Sequence, residues 1–170
     1  MGKSCSVTIH GNNNEQVSFG YLFFYRGFEM KRVLFICLGN ICRSPMAEAI
    51  FRQIVKEAGK EHEYVIDSAG TSDWHEGERP HKGTLDILAH YHVPTTQLYS
   101  RPLVHEDETR FDYFICMDQQ NIKNARKIIR HKNLVRLAPI DIPDPYYTGD
   151  FEETYRLCEE GCRKLFQEIE

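Results

Sequence analysis

The chain contains no run of the roughly 20 apolar residues that a membrane-spanning helix needs; YLFFYRGF near its N-terminus is much shorter. Its six cysteines, Cys5, Cys37, Cys42, Cys116, Cys158 and Cys162, include no Cys-x-x-Cys pair. They are sparse for a chain long enough to build its own core, and no leader with a small-residue cleavage site precedes them. Reduced thiols and a cytoplasmic location are the expectation. Positive charge is not in excess: the net charge is -4, which gives no electrostatic basis for a nucleic-acid or membrane partner. Any anion site must therefore be local. No histidine pair has an acidic or cysteine partner at zinc spacing; His90 and His92 are the nearest to one. There is no internal repeat or low-complexity tract.

What is present is the composition of one ordinary globular domain: 170 residues, 41% hydrophobic and 27% charged. Residues 1–29 stand apart, polar and rich in Asn and Gly, and are expected to be a disordered extension or a segment not natively translated. Arg26-Gly27 can be encoded by AGAGGN, a ribosome-binding-like sequence just ahead of Met30, which makes Met30 the expected start in a bacterial source. The domain then runs over 30–170.

From Lys31 the periodicity is that of an α/β protein. RVLFIC is a continuous apolar strand, as expected where both faces are covered. Ser44-Pro45 reads as a helix start, with Ser as N-cap, and Ala47, Ile50, Phe51, Ile54 and Ala58 form the apolar stripe before Gly59. Strands are expected at Tyr64–Ser68, Asp112–Met117 and Leu134–Leu137. Helices are expected at Gly83–His90 and Gln119–His131, followed by a final helix striped with Phe151, Tyr155, Cys158, Cys162, Leu165, Phe166 and Ile169. Alternating strands and helices imply right-handed crossovers and a parallel sheet.

Ligands of such sheets sit beyond the carboxyl ends of the strands. CLGNICRS, Cys37 to Ser44, lies there, between strand and helix. Loop amides plus a helix N-terminus make an anion cradle, Gly39 permits unusual backbone angles, and Arg43 brings a planar fork of donors. The same positive potential favours a thiolate at Cys37, and a thiolate facing a phosphate cradle is a phosphoryl-transfer nucleophile. A bare C-x5-R occurs by chance; the strand before it and the amphipathic helix after it give it meaning. Expelling an alkoxide or aryloxide also needs an acid. Asp144, between Pro143 and Pro145, is the candidate, with Asp141 and Asp150 as alternatives by composition.

VLFICLGNICRSPMAEAIF together with DPYY, and DSAGTSDW and DYFICMD between them, closely resembles the low-molecular-weight protein tyrosine phosphatases from about Lys31 to the C-terminus. The resemblance implies a three-layer α/β/α fold with a four-stranded parallel sheet and no metal or organic cofactor. It implies a phosphocysteine on Cys37, Arg43 on the phosphoryl oxygens and Asp144 as acid, then base. By position Leu38, Gly39, Asn40, Ile41 and Cys42 match the phosphate-binding loop, and Ser44 the hydroxyl that steadies the thiolate. Asn40 with Ser68 matches the support of the loop, Asp118 a further supporting acid, and Trp74, Tyr146 and Tyr147 the substrate rim. A histidine common in the family falls among His90, Tyr91 and His92 and is not assigned. Cys42 matches a cysteine that can pair reversibly with the nucleophile.

The substrates so implied are phosphotyrosine proteins or small aryl phosphates, acted on by a monomer or a weakly self-associating protein. An arsenate reductase shares this fold but needs relay cysteines; Cys116 is present, while Lys123 stands where a resolving thiol is expected. A related branch acts on phosphoarginine and tends to carry Thr where this chain has Ile41. A non-catalytic phosphate-binding module is the third alternative, and the retention of Cys37, Arg43 and Asp144 speaks against it.

Overall fold

The structure, a computed structural model, describes residues 30–130 and 133–170. The expectations for residues 1–29 lie outside the described residues. Four strands form one parallel sheet: β1 (Lys31–Cys37), β2 (Tyr64–Gly70), β3 (Tyr113–Cys116) and β4 (Leu134–Arg136), in the order β2-β1-β3-β4. The helices are α1 (Arg43–Glu57), α2 (Lys82–His90), α3 (Asp107–Arg110), α4 (Gln119–Ala125), α5 (Pro145–Thr148) and α6 (Phe151–Ile169).

β1 is a central strand, which explains why RVLFIC shows no polar alternation. Val33, Phe35 and Cys37 face one core, and Leu34 and Ile36 face another. On the first side Ala47, Ile50, Phe51 and Ile54 of α1 meet Tyr155, Cys158, Cys162 and Leu165 of α6, while Ala58, expected in the α1 stripe, lies past the helix end and is exposed. Phe51 anchors this layer, edge-on to Phe35 at 5.5 Å and to Tyr64 at 5.8 Å; burying such a ring contributes about 1.5–3 kcal/mol. On the other side lie Ile122, Ala125 and Ile129. The result is three layers, α/β/α. Among the described residues no helix is long and apolar enough to cross a membrane.

The strand ends fall within two residues of the sequence reading, and one helix is much shorter. The helix expected over Gln119–His131 ends at Ala125, where Lys127 and Ile128 donate to Asn124 and Ala125 in tighter i→i−3 bonds. The chain turns there so that Ile129 is fully buried. The short helices α3 and α5, four residues each, leave no period to read.

The strand order also fixes the site. The chain runs from β1 to β2 on one side and later to β3 on the other, so the crevice opens beside the carboxyl end of β1. Cys37 is the last residue of that strand.

Candidate active site

Residues 38–42 connect β1 to α1, and four of their carbonyls, with that of Cys37, are held from outside the loop. Cys37 O accepts from the Thr71 amide at 2.9 Å, Leu38 O from the Ser72 amide and hydroxyl at 3.0 Å each, and Ile41 O from the His81 amide at 2.8 Å. Gly39 O accepts from Ser100 Oγ at 3.1 Å, and Cys42 O from the Met46 amide at 3.2 Å. In a trans peptide the next N–H points opposite the carbonyl. Fixing these five carbonyls therefore turns the amides of Leu38, Gly39, Asn40, Cys42 and Arg43 the other way, and Asn40 N already donates to Cys37 Sγ at 3.3 Å. Successive amides turned to one side in this way have the form of an anion-binding nest. Gly70 sits against it so closely that an added Cβ would lie 2.9 Å from both Leu38 O and Ser72 O.

Asn40 adopts a left-handed backbone, φ 54°, which costs energy in a non-glycine residue. Its side chain offsets this by using every polar atom: Nδ2 donates to Ser44 Oγ (2.9 Å) and Ser68 Oγ (2.8 Å), and Oδ1 accepts from the Arg101 amide (2.9 Å). Ser44 Oγ lies 3.0 Å from Cys37 Sγ. This corrects the expected N-cap role of Ser44. The helix starts at Arg43, Cys42 occupies the cap position with no side-chain cap bond, and Ser44 turns its hydroxyl into the loop. Pro45 remains within the first turn, where no amide partner is needed.

Arg43 is 3% exposed. Its Nη1 donates to Asp118 Oδ2 (2.6 Å) and Ile142 O (3.0 Å), and its Nη2 to Asp144 Oδ2 (2.8 Å). Burial alone would lower its pKa, but Cys37, Asp144 and Asp118 outweigh burial and raise it. Nε is buried with no hydrogen-bond partner. Asp118 also caps α4 by accepting from the Asn121 amide at 2.5 Å.

A cleft of about 180 Å³ is lined by Cys37, Leu38, Gly39, Ile41, Cys42, Trp74, His75, Asp144, Tyr146 and Tyr147. Asp144 is the N-cap of α5, accepting from the Tyr146 amide at 3.1 Å, with Pro145 at the first helical position. The alternatives are engaged elsewhere. Asp141 accepts from Gln119 N and Arg136 Nη1, and Asp150 caps α6 through Glu153 N. Trp74, Tyr146 and Tyr147 are 69%, 56% and 75% exposed, which is large for aromatic side chains and leaves their rings open at the rim.

Several contributors escaped the sequence reading. His75 lines the cleft beside Gly39 with Nδ1 at 2.8 Å from Glu78, and His81 caps α2, stacks on Phe151 at 5.3 Å and meets Tyr146 edge-on. No motif spacing marks either one. Arg101 supports Asn40 and is itself tied to Asp67 and the fully buried Asp107. In the segment AHYHV, Tyr91 stacks on Tyr155 with ring centroids 4.0 Å apart.

The fold thus brings the Cys37 sulphur and the Asp144 carboxyl to one cleft beside the loop amides. A family model described as low molecular weight phosphotyrosine protein phosphatase matches residues 32–170. A curated relative, the low molecular weight protein-tyrosine-phosphatase YfkJ of Bacillus subtilis, is 42% identical over 151 residues, covering 83% of this chain and 97% of that protein. The crystal structure of YfkJ superposes with a TM-score of 0.79 at 44% identity over 82% of this chain and 94% of that one. The crystal structure of a Drosophila arginine phosphatase gives a TM-score of 0.75 at 29% identity, over 83% and 98%. The chain belongs to the low molecular weight phosphotyrosine protein phosphatases, a family of hydrolases.

Proposed function

We propose that the protein hydrolyses phosphotyrosine in proteins, and small aryl phosphates, through a phosphocysteine on Cys37. The observation that carries this reading is that Cys37 and Asp144 line one cleft with three aromatic side chains. The Cys37 thiolate attacks phosphorus as the bond to the phenolic oxygen breaks, and the Asp144 carboxyl gives that oxygen its proton. The Asp144 carboxylate then takes a proton from water as the water attacks phosphorus, the S–P bond breaks and inorganic phosphate leaves. The loop amides and Arg43, with its free Nε, bear the phosphoryl oxygens through both steps. Leu38, Gly39, Asn40, Ile41 and Cys42 supply the cradle, Ser44 donates to the sulphur, Ser68 and Asp118 support the loop and Arg43, and Trp74, Tyr146 and Tyr147 stack on the substrate ring.

The test is a rate comparison of phosphotyrosine, phosphoserine and phosphoarginine peptides, with arsenate reduction alongside. Phosphotyrosine should be fastest. A preference for phosphoarginine would move the protein toward the activity named for its Drosophila neighbour. The acid role has its own check. Asp144→Ala should lower kcat/KM, which ends at release of the phenol, roughly 10²–10⁴-fold for a phenyl phosphate with a poor leaving group, and much less for a nitrophenyl phosphate. Equal losses would remove Asp144 from the acid role.

Cys42 is buried, and burial pushes its thiol up to about 12, with the charges of Asp144 and Cys37 adding. At neutral pH it is a thiol, so peroxide should oxidise Cys37 first, giving the sulfenic acid and water. Cys42 then condenses with it, forming the disulfide and releasing a second water, and dithiothreitol restores both thiols. In Cys42→Ser the sulfenic acid has no partner thiol, so excess peroxide takes it on to the sulfinic acid, and inactivation should then resist dithiothreitol. Full recovery of the variant would remove Cys42 as the resolving thiol. Cys158 and Cys162, fully buried in the core, stay outside this chemistry.

A further inference from the structure

Glu48 is a buried, titratable group that the reaction above leaves unused. It projects from α1 four residues after Ser44, is 3% exposed, and ends a hydrogen-bond chain that begins at the nucleophile. Ser44 Oγ lies 3.0 Å from Cys37 Sγ; Asn40 Nδ2 reaches Ser44 Oγ and Ser68 Oγ; Ser68 Oγ reaches Glu48 Oε2 at 2.5 Å. Glu48 Oε1 is paired with Arg52 at 2.5 Å.

The polarity of this chain is determined. The Arg101 amide can only donate, so it fixes Asn40 Oδ1 as acceptor and leaves both Nδ2 hydrogens for the two serines. Each serine then accepts from Asn40 and has one hydrogen to give. Ser68 gives its hydrogen to Glu48, and Ser44 gives its hydrogen to a thiolate, which only accepts. A carboxylate at Glu48 therefore satisfies every donor. A proton on Glu48 would sit on Oε2, because Oε1 accepts from Arg52, and Oε2 would then donate to Ser68. The Ser68 hydrogen would lose its acceptor in a site that is 1% exposed.

We propose that Glu48 is a positioning residue for Cys37, its carboxylate fixing Ser68 and, through Asn40, the strained loop backbone and the donor orientation of Ser44. The proposal rests on the phosphatase reading and extends it to a side chain that touches neither substrate nor sulphur. The groups facing Glu48 are Arg52 from its own helix, Asp67 and Ser68 from β2, and Arg101 from the segment beyond α2. Burial raises the Glu48 pKa to about 7, with Asp67 adding, against the lowering by Arg52, Ser68 and Arg101. The relay thus changes state near neutral pH: set above it, frustrated below it.

Glu48→Gln tests this, because a glutamine that donates to Ser68 and accepts from Arg52 reproduces the protonated acid. The quantity to follow is the ratio of wild-type to variant kcat on nitrophenyl phosphate from pH 5.5 to 8.5, in which substrate ionisation cancels. It should be near one at pH 5.5 and rise to about tenfold at pH 8.5, the loss of one hydrogen bond to a charged group, with its midpoint near 7 and KM little changed. In a Ser68→Ala background the same ratio should stay near one at every pH. A ratio constant with pH, or one that still rises in the Ser68→Ala background, would overturn the proposal. Wild-type protein without turnover would instead overturn the phosphatase reading, so the two failures are distinguishable.

Discussion

Replacing Cys37 by serine will abolish turnover and leave phosphate binding nearly intact. The sulphur sits at the floor of the cleft, within reach of Ser44 Oγ at 3.0 Å and the Asn40 amide at 3.3 Å. Both contacts are suited to an anion, and a thiolate is an available anion where a serine alkoxide is not. The variant should lose about 10⁴-fold or more in kcat, the scale of removing a covalent nucleophile. The cradle depends on carbonyls pinned by Thr71, Ser72, Ser100 and His81, none of which touches the sulphur. Inorganic phosphate should therefore still bind, within about threefold of the wild-type affinity on the arithmetic of a single small contact. Trp74 is the one tryptophan of the chain and stands at the rim, so its fluorescence reports the titration. Turnover within tenfold of wild type would remove Cys37 as the nucleophile. Lost phosphate binding with lost turnover would mean that the thiol holds the loop together.

The parts of this site that are local in sequence are the parts the sequence discloses. Strand, five-residue loop and helix follow one another from Lys31 to Glu57, so Cys37, Gly39 and Arg43 can be placed by spacing alone. Asp144 was legible through its flanking prolines and by resemblance, although its position as a helix cap was not. What failed was whatever depends on a distant partner. Ser44 has the residue type of an N-cap, but Asn40 and Cys37 compete for its hydroxyl and win, because both are buried and need it. Arg101 and Ser100 lie 61 residues from the loop atoms they support, and no periodicity links them. His81 matters through a backbone amide and a stacked ring, which any residue type or any aromatic partner could hide. Glu48 did leave a trace. Ser44, Glu48 and Arg52 recur at intervals of four along α1, a polar row running beside the apolar stripe. A lone carboxylate in that row, within a helix turn that is otherwise buried, is the pattern that would have singled it out.

Arg43→Lys should be nearly as severe as loss of the nucleophile, and it should fail differently. The guanidinium serves three acceptors from two nitrogens, Asp118, Ile142 O and Asp144, and keeps a buried Nε unpartnered. Its plane is thus fixed before any substrate arrives, which is what allows donors to meet charge that develops in the transition state without reorganising. A lysine ammonium is a single point of charge on a flexible stem. If it stays with Asp118 and Asp144 it offers the phosphoryl group little, and if it turns into the cleft it leaves two carboxylates unpaired. Those carboxylates are each about one-fifth exposed, so water can reach them and the fold should survive. The expected cost is about 10³–10⁴-fold in kcat/KM, the scale of arginines that stabilise phosphoryl transfer, and phosphate affinity should fall as well. A thermal unfolding midpoint close to wild type would place that cost in the chemistry rather than in folding. A rise in KM with kcat unchanged would show that Arg43 binds ground and transition states alike. Only a fall in kcat itself, in a folded protein, shows that the fixed fork is complementary to the phosphoryl group in transit.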